Sequence, residues 1–284
     1  MKLATFSTGD APRVGIVNGE GIIDVVQHVP NAPRDMVGLI SRWDDFKPRL
    51  TDIAQSKPDF ALAEVHLHAP VTRPTKIMAI GLNYADHCAE SNLEPPKVPT
   101  WFAKMPNSVN GPFDPIELPH VSEQLDHEAE LVFIVGKRCR NVPAERAADA
   151  IFGYCVGNDV SVRDWQLRSS QWVIGKSFDT HAPFGPWITT RDEVDPHVLD
   201  IRLLVGGEVR QHSNTRNLIF NCYAQVEDLS KAMTLEPGDV VYTGTCSGVG
   251  YAMKPQRWLQ QGEVVRVEIE KLGAIENKVQ KAVG

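Results

Sequence analysis

The stretch LDHEAELVFIVG, Leu125–Gly136, ends in a run of branched apolar residues, the composition of a strand buried on both faces. Three carboxylates, Asp126, Glu128 and Glu130, lead into it at a spacing of two. Side chains alternate across an extended chain, so all three would point the same way. The spacing predicts a core strand with a column of like charge at its mouth. Alone, such a pattern is a solvated strand end, since acidic residues are usually exposed. The other reading is a cation site, because closely placed carboxylates raise one another's pKa unless a positive ion holds them. All-oxygen donors select a hard ion, Mg²⁺, Mn²⁺ or Ca²⁺, over zinc.

Such a site needs a further oxygen ligand. GYCVGNDVSVRDWQ, Gly153–Gln166, offers Asp159 at the end of a short apolar strand. Three carboxylates around a divalent ion leave about one negative charge, which would repel an anionic substrate. Arg163, or Lys176 in VIGKSFDTHAPFGPW, would correct it. The GKS there is not a phosphate-binding loop, because Ser170 stands where that motif needs glycine. GTCSGVG, Gly244–Gly250, has the wrong spacing for a dinucleotide fingerprint. It reads as a tight β-corner, or as backbone close to a ligand with the Thr245 hydroxyl and exposed N–H groups as donors. In GLNYADHCAE, Gly81–Glu90, His87 and Glu90 are neighbours on one helical face. A carboxylate so placed could orient the imidazole to take a proton from water. The polar, proline-rich ESNLEPPKVPT that follows suits a loop over a pocket.

Working outward, KLATF, RVGIV and GIIDVV read as strands, the last two joined by a turn at Asn18-Gly19. DMVGLISRW and the segment from Asp44 to Gln55 suggest helices. Residues 1–70 are therefore expected to form a small unit, joined through VTRPTK to a mostly β body over 71–284. There KIMAIGL, DIRLLVGGEVR, GDVVYTGT and EVVRVEIEKLG read as strands, and AERAADAIFG and TRNLIFNCYAQVEDLSKAMTL as helices. The fold class expected is α+β, mostly β.

The 42% hydrophobic and 23% charged composition supports a sizeable core. Net charge is −7 and the basic residues are scattered, which argues against nucleic acid as a partner. No apolar run approaches the ~20 residues that span a bilayer. Five dispersed cysteines without C-x-x-C read as free thiols, hence a cytosolic protein.

Taken together, GLNYADHCAE, DHEAELVFIVGK, NDVSVRDWQ, GKSFDTHAPFGPW and TLEPGDVVYTGTCSGVG resemble, in order, the fumarylacetoacetate hydrolase family. The resemblance is strongest to its small-chain branch of acylpyruvases, ureidoglycolate-lyase-like proteins and diketo-acid hydrolases, and runs from about residue 71 to 279. It implies a β-rich roll of mixed sheets, often a homodimer, with Mg²⁺ or Mn²⁺ on Glu128, Glu130 and Asp159. It also implies that Arg163, Gln166, Lys176 and Thr245 line a small anionic 2-oxo-acid substrate and that His87 and Glu90 form a dyad on a lid. Two positions depart: Cys246 stands where the family usually has proline, and Asp126 is not a main ligand in matching members. The activity expected is hydrolysis of a C–C bond in a 2,4-dioxo acid, with Lys176 and the metal stabilising the enolate. An oxaloacetate-type decarboxylase or a 2-oxo-acid isomerase or lyase on the same enolate site is the alternative, and a non-catalytic metal-dependent binding protein a further one.

Overall fold

The computed structural model describes residues 1–90 and 92–282. Among these residues, twelve strands join one mixed sheet and five join a second. The strand Ala129–Val135 sits centrally in the larger sheet, between Ile151–Asn158 and Val240–Thr245, antiparallel to both. Its alternation places Leu131, Phe133 and Val135 in an apolar cluster shared with the five-stranded sheet and the helix Cys222–Ala232. Val132 and Ile134 face the opposite cluster, under the helices Met36–Ser41 and Trp43–Ile53. A strand buried on both faces is what its composition predicts. The mostly β fold with mixed sheets agrees with the expected class.

The topology collects strand ends at one edge. Glu130, near the start of its strand, is in register with Thr245 at the end of the neighbouring one. Asp159 directly follows the strand Ile151–Asn158, which runs antiparallel on the other side. Ile77–Gly81 lies parallel to Val240–Thr245, so the chain leaving Gly81 emerges at the same edge and forms the helix Ala85–Glu90. Ligands expected from segments far apart in sequence are thus neighbours by pairing register.

The N-terminal strands Lys2–Ser7, Arg13–Asn18 and Gly21–Asp24 form where expected, with Asn18 paired to Gly21 around the turn, but the third stops at Asp24, and Val25 and Val26 open the helix Val25–His28. The expected joint near residue 70 carries no break in packing. Lys2–Ser7 pairs antiparallel with Ala182–Thr190, and Leu39, Phe46 and Leu50 share a cluster with Ile77, Val132 and Val240. Asp24 ties this region together. Its buried carboxylate accepts from the Arg13 guanidinium and caps the next helix by accepting from the Val26 and Gln27 N–H groups. Asp24→Ala is expected to cost about 2 kcal/mol, because it uncaps a helix and leaves the Arg13 guanidinium with only the exposed Asp10 as its acidic partner. A urea titration reads this as a lowered midpoint, whereas an unchanged midpoint would show the pair to be dispensable.

Three assignments need correction. The helix read over TRNLIFNCYAQVEDLSKAMTL is confined to Cys222–Ala232, started by Asn221, whose side chain accepts from the Tyr223 and Ala224 N–H groups. AERAADAIFG is a short 3₁₀ segment, Ala144–Ala150, after which Ile151 already belongs to the strand. Thr100–Lys104, Ala182–Thr190 and Gly273–Lys281 are among the strands not anticipated. The second contains Pro183, Gly185 and Pro186, residues disfavoured in a central strand. The register slips between Tyr154 and Val156, opposite that segment, which lets the prolines enter a central strand.

Candidate metal centre and cleft

Glu128, Glu130 and Asp159 each present a carboxylate oxygen within 4.8 Å of the others, and all three are buried. Backbone contacts fix the cluster. The Asp159 N–H donates to the Glu128 carbonyl at 2.9 Å, and the Glu128 N–H to the Asn158 side-chain oxygen at 2.9 Å. The Gly244 N–H donates to Glu130 Oε2 at 2.7 Å. Gly244 has φ +97°, and a Cβ there would lie 2.7 Å from that of Asn83, so glycine is what lets this amide reach the carboxylate.

Cations surround the three acids. Lys176 Nζ donates to Glu128 Oε2 and Asp159 Oδ2, both at 2.7 Å. Arg163 pairs through Nη1 with Glu128 Oε1 at 2.7 Å and donates through Nε to Asp126 Oδ2 at 2.8 Å. Asp126, expected to stand behind the ligands, therefore anchors the arginine. It also accepts from the Gly250 and Tyr251 N–H groups. A third cation was missed. Lys104, fully buried, donates to Asp159 Oδ1 at 2.6 Å and to the Lys176 carbonyl. A lysine closing TWFAK reads as a surface residue, and no spacing signal marks it.

These contacts divide the carboxyls. Burial alone would raise Glu128, but Lys176 and Arg163 overcome it and hold its pKa at about 2. Burial pushes Glu130 well above the usual carboxylate range, reinforced by the nearby Asp159 and Glu128 charges. An acid pair with a proton to spare, ringed by oxygen donors, fits a divalent ion that would replace that proton. The donor set also matches a hard ion.

The sign of the pH effect follows. Between its ordinary pKa of 4.5 and its raised folded value, Glu130 binds more protons in the native state than in the unfolded one. Metal-free stability should therefore fall as pH rises through that window, by up to about 1.4 kcal/mol per unit. Glu128 acts oppositely. Its contribution is complete above 4.5 and is lost as pH falls toward about 2. Urea midpoints in chelator should accordingly decline as pH rises above about 4.5 toward the raised Glu130 pKa, and Glu130→Gln should flatten the decline. A decline of the same size in Glu130→Gln would assign it to other groups.

Above the acids lies a cleft of about 640 Å³, lined by Glu128, Arg163, Gln166, Lys176 and Thr245. His87 and Glu90 also line it, from the helix Ala85–Glu90. His87 Nδ1 lies 3.3 Å from Glu90 Oε2, and the Glu90 carboxylate accepts from the Gly248 N–H at 2.9 Å. Gln166 Oε1 accepts from Arg163 Nη1 at 2.9 Å. Gly175 presses against the short helix Arg163–Leu167, where a Cβ would collide with the Gln166 backbone nitrogen. The glycine of GKS thus lets the lysine loop close on Arg163 and Gln166. The GTCSGVG corner differs from its ligand-binding reading. Its Gly244, Gly248 and Gly250 N–H groups are committed to Glu130, Glu90 and Asp126. The Thr245 hydroxyl donates to the Ala129 carbonyl and accepts from Gln211 Nε2. Cys246 is buried, with its carbonyl also held by Gln211 at 2.8 Å, so the corner is braced without a proline ring.

A sequence profile of the fumarylacetoacetate (FAA) hydrolase C-terminal region matches residues 76–280. The chain belongs to the fumarylacetoacetate hydrolase family. Within this family, an oxaloacetate tautomerase from Xenopus laevis, named as mitochondrial, is 42% identical over 98% of this chain and 90% of its own length. A maleylpyruvate hydrolase from Sphingobium sp. SYK-6, solved with manganese(II) and pyruvate, is 33% identical with a TM-score of 0.85, each chain covered fully. A 5-carboxymethyl-2-hydroxymuconate delta-isomerase from Mycobacterium smegmatis is 34% identical with a TM-score of 0.80, again over the whole of both chains. Fumarylacetoacetate hydrolase family members thus include tautomerases, isomerases and hydrolases on this fold. Among the described residues, no helix is long and apolar enough to cross a membrane.

Proposed function

We propose that the chain interconverts the enol and keto forms of a small 2-oxo acid of the oxaloacetate type. The observation that carries this reading is the cleft floor, a buried acidic triad balanced by Lys176 and Arg163, in a chain related over nearly its whole length to an oxaloacetate tautomerase. This takes the isomerase alternative above over hydrolysis. It requires only proton movement, and no second product has to leave.

Glu128, Glu130 and Asp159 would hold the divalent ion, Mn²⁺ or Mg²⁺, whose chemistry when bound is to polarise the 2-oxo group and favour the enolate. Arg163 and Gln166 face the cleft where the substrate carboxylate would lie, and the Gln166 Nε2 donors have no protein partner among the described residues. Lys176, fixed between two carboxylates, adds preorganised positive charge where the enolate oxygen develops. His87, oriented by Glu90, carries the proton to carbon. In the direction of ketonisation the enol O–H bond and the C2=C3 π bond are lost, and C2=O and C3–H bonds form. Atoms and electrons balance without a co-reactant.

His87→Ala is expected to slow ketonisation about a hundredfold with Mn²⁺ affinity unchanged. The readout is enol-oxaloacetate consumption coupled to malate dehydrogenase, which draws on the keto form. Full activity in this variant would remove His87 from the proton path. One observation favours hydrolysis as the second reading. The His87–Glu90 pair at the cleft could equally activate water, as the likeness to a maleylpyruvate hydrolase would suggest. Release of two acids from an acylpyruvate would support it.

A further inference from the structure

The cleft is larger and more apolar than a four-carbon dianion requires. At about 640 Å³ it falls in the range that takes drug-sized molecules. Beside the charged groups at the acids, and His87, Glu90 and Lys254, the lining carries the apolar side chains of Phe102, Trp172, Leu167 and Tyr251. Leu167 and Tyr251 are 49% and 45% exposed, apolar surface that a small dianion would leave uncovered. The wall is constructed rather than incidental. The Trp172 ring rests on Gly81, where a Cβ would lie 2.5 Å from its six-membered ring. Phe102 packs against Trp172 at 5.5 Å between centroids and 62° between planes. Lys176 Nζ lies 4.9 Å from the Phe102 ring centre, and the Arg163 guanidinium 5.8 Å from that of Tyr251. Both cations therefore join the floor that would bind carboxylate and oxo groups to an aromatic wall. A ligand matching both is amphipathic, with a 2-oxo acid at one end and a flat apolar group at the other.

We propose that the same site ketonises 3-aryl-2-oxo acids, with the aryl ring against Trp172 and Phe102. The inference rests on the tautomerase reading of the floor. The bond changes are those given above, and the aryl group itself takes no part in them. Its conjugation with C2=C3 makes the enol persistent enough to be a substrate.

Phenylpyruvate enol, mixed with the Mn²⁺-loaded protein, tests this by loss of enol absorbance over the spontaneous rate, with enol-oxaloacetate measured in parallel. The proposal expects phenylpyruvate to be ketonised with a kcat/KM within about tenfold of that for oxaloacetate. In Trp172→Ala the ratio of phenylpyruvate to oxaloacetate kcat/KM should fall about tenfold, through a raised phenylpyruvate KM. Oxaloacetate turnover without any acceleration of phenylpyruvate would overturn this proposal and leave the tautomerase reading standing. An unchanged ratio in Trp172→Ala, whether both rates fall or neither does, would also overturn it. Failure to ketonise either acid would remove the tautomerase reading itself, and this proposal with it.

Discussion

Glu130→Ala is expected to weaken Mn²⁺ binding by at least about a hundredfold and turnover on the order of a thousandfold or more. Glu130 is the triad member whose carboxyl is pushed well above the usual carboxylate range, so the ion must compete with its proton. Burial and the adjacent Asp159 and Glu128 charges hold that proton in the metal-free site. Its oxygen is placed by the Gly244 amide, at the end of the strand that pairs with its own. No neighbouring acid can take its position, since Glu128 and Asp159 are already held by Lys176. Calorimetry of Mn²⁺ binding in two buffers of different ionisation enthalpy should show proton release by the wild type at a pH where the raised Glu130 carboxyl still holds its proton. Glu130→Gln should show none. Equal proton release from both would place the titrating group elsewhere.

Lys176→Met carries the second large effect, and it acts on stability and catalysis together. Its ammonium bridges Glu128 and Asp159 at 2.7 Å each in a buried site, so its loss leaves two carboxylates facing one another. Removing one partner of such a buried cluster costs about 3–5 kcal/mol. Added Mn²⁺ should recover part of this, raising the urea midpoint of the variant more than that of the wild type. Turnover should fall a further hundredfold or so at saturating metal, because preorganised charge at the enolate oxygen is missing. Turnover within threefold of wild type with metal bound would show that Lys176 serves stability alone.

Much of the site was legible because strand periodicity and charge speak together. Carboxylates at a spacing of two, entering a run that alternates between two cores, place Glu128 and Glu130 on one side, and a strand ending at Asp159 supplies the third oxygen. The chain's family membership follows from motifs in order, which the profile match over residues 76–280 bears out. What was not legible depends on tertiary contacts. Lys104 is buried only because Asp159 and the Lys176 carbonyl meet it there. The glycine-rich corner gives its N–H groups to the protein's own carboxylates, a fact that spacing cannot carry. The strand holding Pro183 and Pro186 was not legible, because prolines are disfavoured in a central strand unless the register slips opposite them. Residue 70 looked like a boundary because composition changes there, yet the sheet continues through the pairing of Lys2–Ser7 with Ala182–Thr190. Free cysteines suggested a cytosolic location, while the oxaloacetate tautomerase relative is named as mitochondrial.

The most direct test of the central claim is the fate of enol-oxaloacetate mixed with Mn²⁺-loaded protein and excess malate dehydrogenase. Ketonisation at this site predicts malate formation accelerated in proportion to protein, abolished by chelator, with neither carbon dioxide nor a second acid released. An unchanged spontaneous rate, alongside cleavage of an acylpyruvate into two acids by the same preparation, would contradict it.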